Sequence, residues 1–247
     1  MLSKAQAKRI RALHRKKIRE QEGIFLVEGG KVVQELLASD WRIDGLYATQ
    51  EFYDAHRALV EERGVNPTLC TSEELTKIST LRSNNAALAL VDIPPPTTPT
   101  LDAWTLVLDD INDPGNLGAM LRIADWYGVP EVVCSLQTVE WTNPKVIAAS
   151  KGSFLRVKVH STPLDAFFER TQGTLPVFGA YLDGESIHTL QNTPARGMLV
   201  MGNEAHGISP SLEPYITRRI TIPSFGHAES LNVGVATAVI LDNLRRG

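Results

Sequence analysis

The chain has 247 residues, of which 43% are hydrophobic and 21% are charged, and its formal net charge is −3. This length suits one large domain or two small ones, and no apolar run approaches the roughly 18 residues that a membrane-spanning helix needs. The first residues lack the apolar stretch of a secretory signal, so we expect a cytoplasmic protein. The two cysteines, Cys70 and Cys134, lack the spacing of a metal or redox motif, which predicts buried, reduced thiols and no metal site.

The amino-terminal segment is strongly basic although the whole chain is acidic. Residues 1–22 contain eight lysines and arginines against two glutamates, which suggests a polyanionic partner. We predict a helix over residues 3–20, because basic side chains recur at spacings of three and four and therefore share one helical face. The predicted RNA-contacting residues are Lys4, Lys8, Arg11, Arg15 and Arg19. The alternative is a basic helix that only faces solvent.

Helices and strands then alternate, which indicates a small α/β unit. The predicted elements are a helix at 28–38, a strand at 45–49, a helix at 52–62, a strand at 66–70, a helix from 71 and a strand at 86–91. Thr71 and Glu74 have the spacing of a helix capping box. Three consecutive prolines follow this unit, and they favour a stiff, extended spacer. We therefore predict a first domain at residues 1–92 and a linker at residues 93–103.

Residues 104–247 are predicted to form an α/β domain with a mostly parallel sheet, because strands again alternate with helices. The predicted strands are 104–108, 131–134, 154–159, 176–181, 198–201 and 216–222, and the predicted helices are 117–127, 144–150, 163–170 and 230–244. Ligands bind such sheets at the carboxyl ends of the strands. The loops at 109–116, 202–208 and 223–230 all leave strands at that end, so we expect a functional site there.

Two polar segments follow apolar strands in this domain. These segments are 112–122 and 199–209. In the first, Asn116 stands at the predicted helix start, where an amide can cap backbone donors, and Arg122 follows on the same helix. In the second, Gly202 permits close approach of the backbone to a ligand, and Glu204 can accept hydrogen bonds from a ligand or brace an arginine. The alternatives are a simple cap for Asn116 and an ordinary surface position for Arg122.

A third segment, residues 222–236, joins the last predicted strand to a very apolar helix. We expect Ser230 to cap this helix and Asn232 to lie within its first turn, where asparagine is not preferred. Because so apolar a helix is usually buried, Asn232 should have hydrogen-bond partners. A local capping role for Asn232 is the alternative.

In order and spacing, the three segments resemble the three motifs of the SpoU (TrmH-like) branch of the SPOUT methyltransferases, which methylate the ribose 2′-hydroxyl of RNA. The resemblance covers residues 104–247, and residues 1–92 are similar to the substrate-binding domain often found ahead of them. It implies a carboxyl-terminal deep trefoil knot, S-adenosylmethionine as the methyl donor, and a homodimer. The implied catalytic and supporting residues are Asn116, Arg122, Glu204, Ser230 and Asn232, and the implied donor-binding residues are Met201, Gly202, Ile222, Leu231 and Asn232.

The resemblance leaves the substrate open. Ribosomal RNA, at guanosine, is favoured, and the alternatives are transfer RNA, methylation of a base, or a non-catalytic RNA-binding or ribosome-assembly module on the same fold. A nucleotide-dependent oxidoreductase is disfavoured, because no Gly-x-Gly-x-x-Gly follows an early strand. Arg122 either activates the hydroxyl or stabilises developing charge. Departures from the usual family pattern at Ala205, His206, Glu229 and Gly234 bear on RNA specificity.

Overall fold

The computed structural model describes residues 2–246, and the chain forms two compact units. The first unit contains the chain up to Pro95 together with Glu140–Leu155, and the second contains Pro96–Val139 with the chain from Arg156 onwards. Residues 140–155 therefore belong to the first unit, although the sequence analysis placed them in the second domain.

The first unit is built on a four-stranded sheet. The elements before Pro95 are α1 (Lys4–Ala12), α2 (Lys16–Glu22), β1 (Ile24–Glu28), α3 (Gly30–Leu37), β2 (Ile43–Ala48), α4 (Gln50–Ala55), α5 (Arg57–Glu62), β3 (Thr68–Leu69), α6 (Ser72–Ile78) and β4 (Ala87–Asp92). The strand order is β1-β4-β2-β3, with β4 antiparallel to β1 and β2, and β3 parallel to β2. No strand was predicted at β1, although its continuous apolar run is typical of a fully buried strand.

An aromatic cluster explains why residues 140–155 pack with the first unit. The ring of Phe25 in β1 lies edge-on to the rings of Trp41, Trp141 and Phe154, with centroids 5.2–6.0 Å apart. Two of the four rings belong to the 140–155 segment. Because aromatic side chains bury large apolar areas, these contacts stabilise the packing of residues 140–155 within the first unit.

The basic amino-terminal segment forms two helices instead of the single predicted helix. A break at residues 13–15 separates α1 from α2. Arg19 is only 1% exposed. Its Nη1 donates to the carbonyl oxygens of Leu13 and His14 at 2.9 Å each, and its Nη2 forms an ion pair with Glu140. The prediction that Arg19 contacts RNA is therefore wrong, because its guanidinium is buried at the break. The other four residues of the predicted stripe are exposed.

We expect Arg19→Ala to lower the free energy of unfolding by about 3 kcal/mol, because it leaves two carbonyls without their donor and leaves Glu140 with only Lys16, 4.0 Å away, as an ion-pair partner. Burial lowers the pKa of the Arg19 guanidinium, and the charge of Glu140 opposes that effect. Arg15→Ala removes an exposed arginine from the same segment and should change the stability by less than about 0.5 kcal/mol. Denaturant titrations compare the two variants, and equal losses would contradict a structural role for Arg19.

The second unit contains a six-stranded sheet. The elements after the linker are β5 (Thr105–Leu108), α7 (Pro114–Trp126), β6 (Glu131–Cys134), α8 (Pro144–Ser150), β7 (Lys158–Ser161), α9 (Leu164–Thr171), β8 (Val177–Ser186), β9 (Met198–Met201), β10 (Arg218–Thr221) and α10 (Val233–Leu244), of which α8 lies in the first unit. The order is β10-β8-β9-β5-β6-β7, and every neighbouring pair is parallel. The prediction of a parallel sheet is confirmed for this unit.

Both helices that flank the predicted site begin at residues other than those expected. Asp113 caps α7, since its side chain accepts the backbone N–H of Asn116 at 2.8 Å. Pro114 follows as the first helical residue, a position for which its fixed φ is suited. Asn232 caps α10, so Ser230 is not the cap and Asn232 does not lie inside the first turn. The prediction also placed β7 too early, because residues 153–155 form a short 3-10 helix.

Both cysteines are free and buried, as predicted. Burial raises the pKa of the Cys70 thiol to about 11 and that of the Cys134 thiol to about 12. Both groups are therefore neutral thiols near pH 7, which makes them poor nucleophiles. No helix within residues 2–246 has the length and apolar character needed to cross a membrane.

Candidate active site

Two loops at the carboxyl ends of the neighbouring strands β5 and β9 are bonded to each other. Asp109 is buried directly after β5, and its Oδ2 accepts the backbone N–H of Ser209 at 2.7 Å. Asn203 follows β9, and its Nδ2 donates to the carbonyl oxygen of Asp110 at 2.8 Å. No role was predicted for Asp109, Asp110 or Asn203. The sequence feature that could have identified them is a short polar side chain placed directly after a buried strand.

The 202–208 loop is a tight, internally bonded turn. The backbones of Asn203 and Gly207 exchange two hydrogen bonds of 2.9–3.0 Å, and Asn203 Oδ1 accepts the N–H groups of Ala205 and His206. A Cβ atom added to Gly202 would lie 2.2 Å from the carbonyl carbon of Gly207. Gly202 is therefore required by the close approach of the loop to itself, whereas the sequence analysis explained it by the approach of a ligand.

The three motifs meet in a chain of side-chain hydrogen bonds. Asn116 Nδ2 donates to Glu204 Oε1 at 2.6 Å, and Asn232 Nδ2 donates to Asn116 Oδ1 at 2.9 Å. Asn232 Oδ1 accepts the backbone N–H groups of Gly234 and Val235. Because backbone donors fix the oxygen side of Asn232, its amide nitrogen must face Asn116, and the amide nitrogen of Asn116 must then face the carboxylate. The helix cap of α10 thus orients the whole chain of bonds.

The other predicted site residues do not join this chain of bonds. Arg122 is exposed on α7 and has no hydrogen bond or ion pair within the described part of the chain. Ser230 is exposed in the loop before α10, and Leu231 is 51% exposed beside it. Met201 is buried at the end of β9, and Ile222 is half-buried after β10. The prediction that a buried Asn232 has partners is correct about the partners and wrong about the burial, because Asn232 is exposed.

The arrangement offers a fixed polar group beside an open apolar surface. Glu204 is exposed and bonds to Asn116 through Oε1 alone. Its second oxygen can accept a hydrogen bond from a hydroxyl or amino group of a ligand. The loop before α10, whose last residue Asn232 bonds to Asn116, presents exposed apolar side chains, among them Phe225 and Leu231. Such a combination suits a ligand that has both an apolar face and hydroxyl or amino donors.

Two substitutions of Asn232 separate its two roles. Asn232→Ala removes both the helix cap and the bond to Asn116, so we expect it to lower the free energy of unfolding by about 1 kcal/mol. Asn232→Asp keeps an acceptor for the backbone N–H groups of α10 and adds favourable charge at a helix start, so its stability should stay near that of the wild type. Thermal unfolding measures both. Equal destabilisation by the two substitutions would show that the cap is not the main contribution of this side chain.

Asn232→Asp should nevertheless break the chain of bonds, because it places a carboxylate oxygen against Asn116 Oδ1. If the Asn116 amide turned over, its oxygen would instead face Glu204, so one contact between two acceptors results in either case. We expect the side-chain amide resonances of Asn116 to shift and broaden in an NMR spectrum of this variant. Unchanged Asn116 amide resonances would contradict the bonding order described above.

Profiles of two known protein families match this chain, one in its first part and one in its second. The profile of the SpoU rRNA Methylase family matches residues 103–242, and that of the MRM3-like substrate binding domain matches residues 4–89. The chain is 27% identical to the 23S rRNA (guanosine(2553)-2′-O)-methyltransferase RlmP of Bacillus subtilis, over 94% of this chain and 93% of that protein.

Two solved structures are similar over nearly their whole length. One is of a protein from Porphyromonas gingivalis assigned to the TrmH family of RNA methyltransferases, with 34% identity, a TM-score of 0.86, and coverage of 100% of this chain and 99% of that one. The other is the AdoMet-bound rRNA methyltransferase of Sinorhizobium meliloti, with 25% identity, a TM-score of 0.88, and coverage of 100% and 97%.

Proposed function

Because this chain belongs to the SpoU rRNA methylase family, we propose that it transfers a methyl group from S-adenosylmethionine to a ribose 2′-hydroxyl of ribosomal RNA, at guanosine. The observation that carries the proposal is the chain of bonds from Glu204 through Asn116 to Asn232, which joins one side chain from each motif. The names of the relatives support the substrate class, since they include 23S rRNA guanosine 2′-O-methyltransferases.

The donor would bind among the residues that follow β9 and β10. The half-buried Ile222 and the exposed Leu231 offer apolar surface for an adenosine group, while Glu204 offers an acceptor for a hydroxyl or amino group. Met201 and Gly202, at the end of β9 and the start of the tight loop, would add backbone groups to this donor site. When bound, the donor supplies an electrophilic methyl group on a sulfonium.

The protein's own contribution to the reaction is positioning and charge. The ribose hydroxyl must pass its proton to solvent as it attacks, and negative charge develops on its oxygen. Arg122 is exposed and not engaged elsewhere in the described residues, so its guanidinium is free to bind an RNA phosphate and the 2′-oxygen. An arginine guanidinium holds its proton tightly, which makes it a poor base. We therefore assign Arg122 to charge stabilisation, and Asn116 with Glu204 to positioning.

The wider organisation belongs to the same proposal. Residues 1–92 would bind the RNA, residues 93–103 would act as a linker, and residues 104–247 would carry the reaction within a deep trefoil knot. We further propose a cytoplasmic homodimer. The large apolar side chains Trp126 of α7, which is 82% exposed, and Val235 of α10 support a dimer, because a second copy of these helices would cover them.

Transfer of labelled methyl groups from S-adenosylmethionine to in-vitro transcribed, unmodified 23S rRNA and transfer RNA tests the substrate class. We expect label in the 23S transcript. Label in transfer RNA alone would support the alternative substrate. Absence of both calorimetric S-adenosylmethionine binding and transfer to any RNA would favour the non-catalytic module and overturn the proposed activity.

A further inference from the structure

We propose that the loop at residues 79–85, together with Lys31, forms a second RNA-contact surface that is continuous with the exposed cations of α1. This inference rests on the proposed function, because it takes the partner to be RNA. The loop connects α6 to β4 and contains no acidic residue. Its polar residues are Ser79, Thr80, Arg82, Ser83, Asn84 and Asn85. Of these, Arg82, Ser83 and Asn85 are exposed, and such side chains bind phosphate oxygens and base edges.

The loop is fixed at its first end by a buried carboxylate. Glu28, at the end of β1, is 7% exposed. Its Oε1 accepts the backbone N–H of Thr80 at 2.8 Å, and the hydroxyl groups of Ser79 and Thr80 also donate to this carboxylate. Three donors thus hold a carboxylate that would otherwise be costly to bury. The start of the loop is therefore rigid.

A buried amide fixes the other end of the loop. Asn84 is 2% exposed; its Nδ2 donates to the carbonyl oxygen of Ala87 at 2.9 Å, and its Oδ1 accepts the N–H of Ala86 at 3.2 Å. Its backbone N–H donates to Thr76 Oγ1 at 3.0 Å. Between the two anchors, Arg82 is exposed without an ion pair among the described residues. A loop whose anchors are buried and whose cation is unpaired is pre-organised to hold a ligand.

The sheet places Lys31 at the same end as the loop. Because β4 is antiparallel to β1, the start of β4 lies beside the end of β1, where Gly29 N–H donates to Ala87 O at 3.0 Å. A Cβ atom on Gly29 would lie 3.8 Å from Leu81 Cδ1, so the loop passes over the start of α3. Lys31 is exposed in the first turn of α3. The exposed Lys31 therefore lies at the same end of the sheet as the unpaired Arg82 of the anchored loop.

The same loop begins beside the break between α1 and α2. The Nε2 of His14 lies 3.0 Å from the carbonyl oxygen of Ile78, the residue immediately before the loop. Arg11 and Arg15 flank His14 and are exposed. Several other cations of the amino-terminal segment are already paired, with Arg9 bonded to Glu22 and Asp44, Lys16 to Glu20, and Arg19 to Glu140. The unpaired cations of α1 and the loop thus form one basic surface, which suits a polyanion.

The test measures binding of the full chain to unmodified 23S rRNA transcript over a range of salt concentrations. We expect Arg82→Ala and Lys31→Ala each to weaken binding about fivefold and to reduce the slope of log affinity against log salt by about 1. Arg82→Lys should keep most of the slope. The matched control is Arg42→Ala, because Arg42 is exposed in the same unit and pairs with Asp92 at the opposite end of β4; its binding should stay within about twofold of the wild type.

Two further readouts separate this inference from the proposed function. Thermal unfolding checks that the variants fold, and calorimetry with S-adenosylmethionine should give the wild-type affinity for all of them. If the wild-type chain methylates the transcript while Arg82→Ala and Lys31→Ala bind it with unchanged affinity and salt slope, this RNA surface is wrong and the proposed function stands. If the wild-type chain neither binds nor methylates the transcript, both the RNA surface and the proposed function are wrong.

Discussion

Gly202→Ala is expected to lower the rate of methyl transfer by at least about 100-fold, because displacing a positioned site by about 1 Å has an effect of that size. The added Cβ would lie 2.2–2.4 Å from three backbone atoms of Gly207 and Ile208. Backbone atoms cannot rotate away as a side chain can, so the whole 202–208 loop must move. That movement would break the bonds from Asn203 to Asp110 and from Glu204 to Asn116.

Initial rates of methyl transfer and calorimetric binding of S-adenosylmethionine measure the effect. We expect Gly202→Ala to lose donor affinity as well as rate, because the loop forms part of the proposed donor site. Gly45→Ala is the matched control. Gly45 lies in β2 of the first unit, and the atom nearest to a Cβ added there is Tyr47 Cε2 at 3.4 Å, an ordinary contact distance. Wild-type donor affinity in Gly202→Ala would contradict the role assigned to the tight loop.

Arg122→Ala is expected to reduce kcat/KM by about 100- to 1,000-fold, the usual effect of removing a donor that stabilises developing negative charge. The free energy of unfolding should not change, because Arg122 is exposed and makes no ion pair within residues 2–246. Arg170→Ala, which removes an exposed arginine of α9 in the same unit, serves as the control and should keep wild-type activity.

Arg122→Lys distinguishes charge from geometry. Lysine keeps the positive charge but loses the planar fork that can bind a phosphate and the 2′-oxygen together. We expect this variant to recover little of the activity lost in Arg122→Ala. Full activity in Arg122→Lys would eliminate a geometric role for the guanidinium, and an unchanged rate in Arg122→Ala would remove Arg122 from the reaction.

Local patterns in the sequence were sufficient for much of the second unit. The strands β6 and β9 and the helix α8 have the predicted bounds, because each is a short apolar or capped run between clear turn residues. The parallel sheet followed from the alternation of elements. Because carboxyl ends of parallel strands share one edge, the loops of the first two motifs could be expected to lie together.

The features that could not be predicted from the sequence depend on contacts between residues far apart in the chain. The bond from Asn116 to Glu204 joins residues 88 apart, and the one from Asn116 to Asn232 joins residues 116 apart. No local pattern specifies these partners. The burial of Arg19 was missed for a similar reason, since its partner Glu140 lies 121 residues away and a helical wheel shows only which side chains share a face.

The sequence indicates that position 202 requires glycine, but it does not indicate why. A glycine after an apolar strand indicates a close backbone approach, yet the sequence does not say whether the approaching group is a ligand or the chain itself. The break in the amino-terminal helix was equally hidden, because it is stabilised by the Arg19 guanidinium at the carbonyls of Leu13 and His14. Such side-chain-to-backbone bonds arise only once the fold is formed.

The position of the transferred methyl group tests the central claim most directly. Unmodified 23S rRNA transcript would be incubated with the protein and methyl-labelled S-adenosylmethionine, then digested both to nucleosides and with alkali. We predict label in 2′-O-methylguanosine and in an alkali-resistant dinucleotide, because a methylated 2′-oxygen cannot attack the neighbouring phosphate, and we predict loss of both with Arg122→Ala. Label on a base, in an alkali-sensitive product, would contradict ribose methylation by this site.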